Sequence, residues 1–248
     1  PKSFSKEFQH WVKVFEREIN AVRRLNLDAV KTRRLDLLEV MCSPESELTK
    51  QVHQHQGQAQ RFGMSEGDLR KPEARMRLFQ IIMLKCPKHL WYSPECGPWS
   101  MWNFLNMNKS VELEEKLMNK RFDHVWQIAL GLVLYRWQVS HGSHFHWEQP
   151  GGSDMFKFPE LEELQQFCER CRFDLCRVGN LQDPKSLAPI RKRLQVLTTS
   201  SELMHEIHGK FCNQEHVHKP IEGNTMWGGV SRSEERRVGK ECRSRWSP

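Results

Sequence analysis

The chain has 248 residues, 38% of them hydrophobic and 28% charged, and its 38 Lys/Arg against 31 Asp/Glu give a formal net charge of +7. That length supports one sizeable core. No stretch reaches the roughly 18 apolar residues that a membrane span needs, so no membrane partner is expected.

Residues 1–34 read as a charged, helical N-terminal segment, in which Trp11, Val12, Phe15, Ile19 and Val22 recur at the spacing of one helix face. RLDLLEVMC, Arg34 to Cys42, is an apolar run stopped by Ser43-Pro44 and predicts a buried strand. A helix from Glu47 to His55 follows, with Ser46 placed to cap it. AQRFGM predicts a strand around Phe62, and a helix follows from about Pro72 to Leu84. HLWYS predicts a third strand, Val111 to Val139 a long helix, SHFHWEQP a fourth strand and Glu160 to Arg172 a helix. FDLCRVG and RLQVLTTS, the latter Arg193 to Ser200, predict two more strands, and Glu202 to Phe211 a last helix. Strands alternating with helices of this length predict an α/β fold: a Rossmann-like, doubly wound, mostly parallel sheet over residues 35–200. Residues 201–231 form a His/Cys-rich helix and loop behind it.

In such sheets ligands sit at the carboxyl ends of the strands, and the unusual residues fall there. Glu39 and Cys42 end the first strand, Asp68 follows the second, Ser93 to Cys96 end the third and Glu148 to Pro150 the fourth. In HLWYSPECGPWSMW, Cys96 lies between a glutamate and a Gly-Pro turn, the polar, partly open setting that a working thiol needs. Each ending taken alone is also what a plain turn looks like, because Pro and Gly form turns.

Four segments carry a resemblance in order. SPECGPWS resembles the catalytic Pro-Cys loop of the cytosine-5 DNA methyltransferases, with Cys96 at the nucleophile. HFHWEQP resembles their Glu-Asn-Val strand end with Glu148 at the glutamate, and EGDLRKP their Gly-Asp segment, with Gly67 at the glycine and Asp68 at the aspartate. APIRKRLQVLTT resembles their Gln-x-Arg-x-Arg strand, with Arg191 and Arg193 at the basic positions. The chain is also similar to a methyltransferase-like block found beside copia-type domains in retroelement polyproteins of dinoflagellates. The resemblance implies the methyltransferase-type Rossmann fold and S-adenosylmethionine as cofactor, with Glu39, Asp68, Ser93 and Pro94 on its side of the cleft. DNA and other segments of the same polyprotein would be the partners, in an intracellular setting that is nuclear if the domain acts on DNA. In that family a thiolate adds to cytosine C6, so that C5 can attack the methyl group, and a carboxyl at the N3 edge stabilises the developing charge. Cys96 and Glu148 would take those roles in a common cleft, on a base that has left the stack. Arg191 and Arg193 would hold phosphate or position the glutamate.

Three features depart from the family pattern. EVMCSPESELTK, at the first loop, has no glycine where the family brings bare backbone to the cofactor. Glu95 replaces the proline before the nucleophile, and its charge is expected to raise the thiol pKa. Gln149-Pro150 stands in place of Asn-Val. An alternative reading is therefore a non-catalytic module of a retroelement polyprotein, keeping the fold for nucleic-acid binding or assembly.

A second constellation is ELMHEIHGKFCNQEHVHKP. His205, His208 and Cys212 share a helical face at i, i+3 and i+7, with His216 and His218 in the loop beyond. Zinc takes such N and S ligands, and a solvent-exposed His-rich helix end fits the same pattern. His141-x4-His146 with Cys168-x2-Cys171 approximates a retroelement integrase zinc module, but a strand-like segment interrupts it. Trp91, Trp99, Trp102, Trp126, Trp137 and Trp147 are base-stacking candidates or core packing. Residues 232–248, RSEERRVGKECRSRWSP, resemble a translated sequencing-library adaptor and are set apart from the fold, the alternative being a basic tail for nucleic acid. Without their six Lys/Arg and three Asp/Glu, the counts fall from 38 and 31 to 32 and 28, and the charge from +7 to +4. Of eight cysteines one lies in that tail, and the other seven form no disulfide-like frame, so reduced thiols are expected.

Overall fold

The computed structural model describes residues 3–25, 34–100, 103, 109–179, 182, 186–218, 226–227 and 230–231. Its centre is a six-stranded sheet. The strands are β1 (Leu37–Val40), β2 (Ala59–Phe62), β3 (His89–Tyr92), β4 (His144–Pro150), β5 (Glu169–Asp174) and β6 (Arg193–Thr198), in the order β2-β1-β3-β4-β6-β5. Strands β2, β1, β3 and β4 pair in parallel, whereas β6 runs antiparallel to both neighbours. The fold is thus α/β with a mostly parallel, mixed sheet of Rossmann-like type. Because β2 and β3 flank β1 on opposite sides, the strand order reverses at β1, and the crevice beyond the carboxyl ends of β1 and β3 is the topological switch point.

Alternation along the strands gives the sheet two different faces. Leu38, Val40, Leu90, Tyr92, Phe145 and Trp147 face a continuous core, together with α1 (Phe4–Leu25), α3 (Pro72–Lys85) and α5 (Val125–Ser140). Glu39, Trp91, His146 and Glu148 point to the other face, which carries α2 (Glu47–Gln54) and, over β5 and β6, α8 (Ser201–Ile207). The remaining helices are α4 (Val111–Asp123), α6 (Glu162–Phe167) and the single turn α7 (Leu175–Val178). A two-stranded pair, β7 (Met226–Trp227) and β8 (Val230–Ser231), follows in the chain.

The N-terminal segment is a full layer of this core. Phe8, Val12, Phe15, Ile19 and Val22 of α1 are buried against α5 and α3, each contributing about 1.5–3 kcal/mol by leaving water. Glu18 on α1 accepts two hydrogen bonds from the buried Arg75 on α3, at 2.7 and 2.6 Å. From Ile128 to Tyr135 helix α5 is apolar and buried all round, as the part of a helix sunk in a core must be. Gly131 is required there: a Cβ would lie 2.5 Å from the Trp147 ring and 2.7 Å from Tyr92.

Two expected elements differ. The helix expected from Val111 to Val139 is broken at His124, whose ring bonds back to the Lys120 carbonyl at 2.7 Å and across to Glu95 at 3.1 Å. The helix expected over Glu160–Arg172 stops at Phe167, and the strand expected over FDLCRVG, Phe173 to Gly179, instead runs from Glu169 to Asp174 and gives way to the helical turn α7 at Leu175. Cys171 and Phe173 alternate inward against Val196 and Leu194 of β6, so period-two packing overrides helix propensity. Residues 232–248 and Trp102 lie outside the described residues. No helix among the described residues is long and apolar enough to cross a membrane.

Candidate functional site

Strand β3 ends in Ser93-Pro94-Glu95-Cys96, and the chain turns at once into a short 3-10 turn over Gly97–Trp99. Two buried glutamines hold this loop. From α5, Gln127 accepts the Glu95 N–H on its side-chain oxygen at 3.0 Å, and its own carbonyl accepts the Tyr92 hydroxyl at 2.6 Å. From β4, Gln149 donates to the Pro94 carbonyl at 3.1 Å and accepts from the Ser153 hydroxyl at 2.9 Å. The strand ends of β3 and β4 are thereby locked side by side.

Glu148 sits on this seam, half-buried. Its Oε2 accepts the Trp91 indole N–H at 2.8 Å and the Ser93 hydroxyl at 3.5 Å, and its Oε1 has no hydrogen-bond partner among the described residues. Cys96, also half-buried, is on the loop that Gln149 pins next to Glu148. Glu95 turns its carboxylate to His124 at 3.1 Å, and this hydrogen bond raises the His124 pKa above its ordinary value. The negative charge expected to oppose a Cys96 thiolate is thus paired with a cation in waiting. Burial, then the nearby Glu39, pushes the Cys42 thiol up to about 12, which removes the other strand-end cysteine as a nucleophile.

The residues on the cofactor side are engaged within the fold. Glu39 is 3% exposed. Its carboxylate accepts from the Ser46 hydroxyl at 2.7 and 2.6 Å, from the Thr49 N–H at 2.9 Å and from the Thr49 hydroxyl. It caps α2 from the neighbouring strand, so Ser46 serves as a donor to Glu39 instead of capping the helix itself. Burial raises its pKa, against those hydrogen bonds. Asp68 is wrapped by Arg70, whose guanidinium and backbone N–H hold its pKa below the carboxylate range. Pro94 offers its carbonyl to Gln149, and the Ser93 N–H bonds the Val40 carbonyl at 3.0 Å. The glycine-free loop after β1 takes a left-handed turn at Met41, with φ 61°, a conformation glycine normally supplies. The carboxylates of Glu39 and Asp68 are thus already engaged by neighbouring groups of the chain, Glu39 by Ser46 and Thr49 and Asp68 by Arg70.

Arg191 and Arg193 lie apart from Glu148. Both pair with the fully buried Asp174, Arg193 at 2.9 and 3.1 Å and Arg191 at 3.6 Å. Of the tryptophans, Trp99 and Trp147 are sealed in the core, Arg121 lying 5.1 Å from the Trp99 ring centre. Trp91, Trp126 and Trp137 are partly exposed, and only Trp91 adjoins Glu148.

The histidines and cysteines separate into three groups. Helix α8 ends at Ile207, so Cys212 does not share a helical face with His205 and His208; it joins His216, His218 and Cys176 on α7, the four ligand atoms lying within 4.8 Å of one another. His205 and His208 are not in the group: His208 accepts the Arg172 N–H at 3.3 Å, and His205 lines a shallow cleft beside α8 with Glu169 and Glu202. Cys176 was missed because it is 36 positions from Cys212 and had been assigned to a strand. His146 and Cys171 of the integrase-like set are built into the sheet: His146 bonds His89 and Thr198, and the Cys171 thiol bonds the Val196 carbonyl. His89, His144 and His146 form a stack with ring centres 5.0–6.5 Å apart, and burial holds His89 down to about 4 and His146 to about 3. The clamping roles of Gln127 and Gln149 were not expected, although Gln127 stands out as a polar residue inside the run Val125–Leu134 and Gln149 as the residue in place of the family's asparagine.

No protein-family model matches this chain, and no curated protein matches it.

Proposed function

We propose that the chain is a methyltransferase-like domain of a retroelement polyprotein that binds nucleic acid through a nucleobase and does not transfer a methyl group. The observation that carries this reading is the contrast between the two halves of the cleft. On the cofactor side, the Glu39 carboxylate is buried and saturated by Ser46 and Thr49. On the base side, Glu148 Oε1 has no hydrogen-bond partner among the described residues, beside a partly exposed Trp91. A carboxylate oxygen accepts from the cytosine N4 amino group, and an indole offers a stacking surface to an unpaired base. The modest positive charge favours a polyanionic partner.

Fluorescence anisotropy with single-stranded oligonucleotides tests this. A strand carrying one cytosine in a thymine background should bind about 10-fold more tightly than all-thymine, the lower part of the roughly 1–3 kcal/mol that a good base contact discriminates. Glu148→Ala should erase the preference and leave all-thymine binding unchanged. Calorimetry with S-adenosylmethionine should give no heat. Equal binding of both strands would sink the proposal.

One pair of observations favours an active cytosine-5 methyltransferase instead. Met41 adopts the backbone conformation of a glycine, and Glu95 is hydrogen-bonded to His124, which offsets its opposition to a Cys96 thiolate when the imidazole is protonated. Under that reading S-adenosylmethionine binds, and DNA carrying 5-fluorocytosine forms a covalent adduct with Cys96 that Cys96→Ala abolishes. Neither should occur if the binding module is the correct reading.

A further inference from the structure

The loop that follows α8 returns to the end of β5 and brings two imidazoles and a thiol against a second thiol. Sγ of Cys212 lies 3.5 Å from Nε2 of His216 and 3.3 Å from Nε2 of His218, and the two Nε2 atoms are 3.0 Å apart. Three lone-pair atoms converging on one point is not an arrangement that hydrogen bonding alone favours, since two facing imidazole nitrogens share at most one proton between them. Around a tetrahedral zinc, with Zn–S about 2.3 Å and Zn–N about 2.0–2.1 Å, neighbouring S and N ligands fall roughly 3.5 Å apart and two N ligands roughly 3.3 Å. The observed separations match those to within a few tenths of an ångström, and the Cys176 Sγ closes the set.

We infer that Cys176, Cys212, His216 and His218 form a structural zinc site that clasps the C-terminal loop to the sheet. The set is Cys2His2, which leaves no position open for water or substrate, as in structural sites. Its surroundings are built for the task. The Gln214 N–H donates to the Cys212 sulfur at 3.3 Å, a bond that stabilises thiolate. The Cys212 N–H donates to the buried Asp174 at 3.0 Å, the Asp174 N–H donates to the Lys210 carbonyl at 3.1 Å, and Phe211 lies under the Arg193 guanidinium at 4.9 Å. The metal therefore joins α7 to a loop 36 residues later in the chain, across the ends of β5 and β6.

Cobalt substitution in the full chain tests it. The metal-free protein titrated with Co2+ should develop tetrahedral visible bands at one ion per chain, with a thiolate-to-metal charge-transfer band of two-sulfur intensity, and Zn2+ should displace the cobalt. Cys176→Ser should halve that band and weaken zinc by more than the roughly 10–100-fold that loss of an outer-shell partner costs. His205→Ala and His208→Ala should change neither. Octahedral, weak spectra with the unaltered chain would overturn the site, as would a charge-transfer band that Cys176→Ser leaves intact or that His205→Ala removes. Because the stoichiometry and spectrum are read on the unaltered chain, a variant that fails to fold does not shelter the inference.

Discussion

The two glutamines that flank the Cys96 loop set up a quantitative test of how the candidate site is held. Gln127→Leu keeps the volume at a position 4% exposed but strands the Glu95 N–H. Gln149→Leu, at 1% exposed, strands the Pro94 carbonyl and removes a partner of Ser153. A buried group left unsatisfied costs about 1–3 kcal/mol, so each variant should lose about that much in urea unfolding. If the stranded bond is one that local opening of the loop breaks, opening becomes easier by the same amount. Cys96 alkylation, followed by mass spectrometry at that residue, should then rise by up to about 5- to 150-fold, taking tenfold per 1.4 kcal/mol. Both glutamines grip the same loop, so the double variant should cost less than the sum by more than about 0.5 kcal/mol. Unchanged Cys96 alkylation in variants that have lost their stability would refute the clamp and leave the glutamines as core polar groups unrelated to the loop.

Glu18→Gln should destabilise the chain by roughly 3 kcal/mol in denaturant unfolding, because it leaves the Arg75 guanidinium buried and unpaired, whereas Glu18→Leu combined with Arg75→Met should recover most of the loss. Gly131→Ala should lower the melting temperature despite the roughly 1 kcal/mol gain in helix propensity, since overpacking against Trp147 costs about 1–3 kcal/mol. Burial depresses the folded pKa values of His146 and His89 to about 3 and about 4, so the unfolded chain binds more protons below the ordinary histidine value. Stability should therefore fall as the pH drops from about 6.5 towards 4, and His146→Leu should flatten the slope in pH-dependent urea unfolding. The His124–Glu95 pair acts in the opposite sense: the raised His124 pKa gives stability that is present below the ordinary histidine value and lost as the pH rises through the folded one. His124→Ala should remove that loss.

Much of the sheet was legible because its strands carry their signal locally. LLEV and HLWY are short apolar runs and HFHWEQP alternates Phe145 and Trp147 with polar residues, each followed or ended by Pro, and the structure pairs them in parallel in the expected places. What the sequence concealed depends on partners far along the chain. Strand β5 shares its residues with a helix-like stretch and is decided by Val196 and Leu194 some two dozen positions later. Glu39 looked like a ligand because it ends a strand, and only the packing of α2 shows that Ser46 and Thr49 consume it. The zinc-type cluster was half visible, since Cys212, His216 and His218 are neighbours in sequence, while Cys176 becomes a ligand only through the return of the loop.

The placement of Arg191 and Arg193 ties these strands of reasoning together. The family resemblance implies a place for them on the base side of the cleft, yet both pair with Asp174, a carboxylate with no exposed surface. A buried carboxylate needs that pairing, because removing its partner leaves an uncompensated charge in the core. Asp174 in turn holds the backbone of Cys212, so the basic strand end is committed to the C-terminal lobe and cannot also brace Glu148. What braces Glu148 instead is Trp91, a neutral donor to Oε2, and Oε1 has no hydrogen-bond partner among the described residues. An acceptor of that kind is what the proposed recognition of an amino group on a base requires.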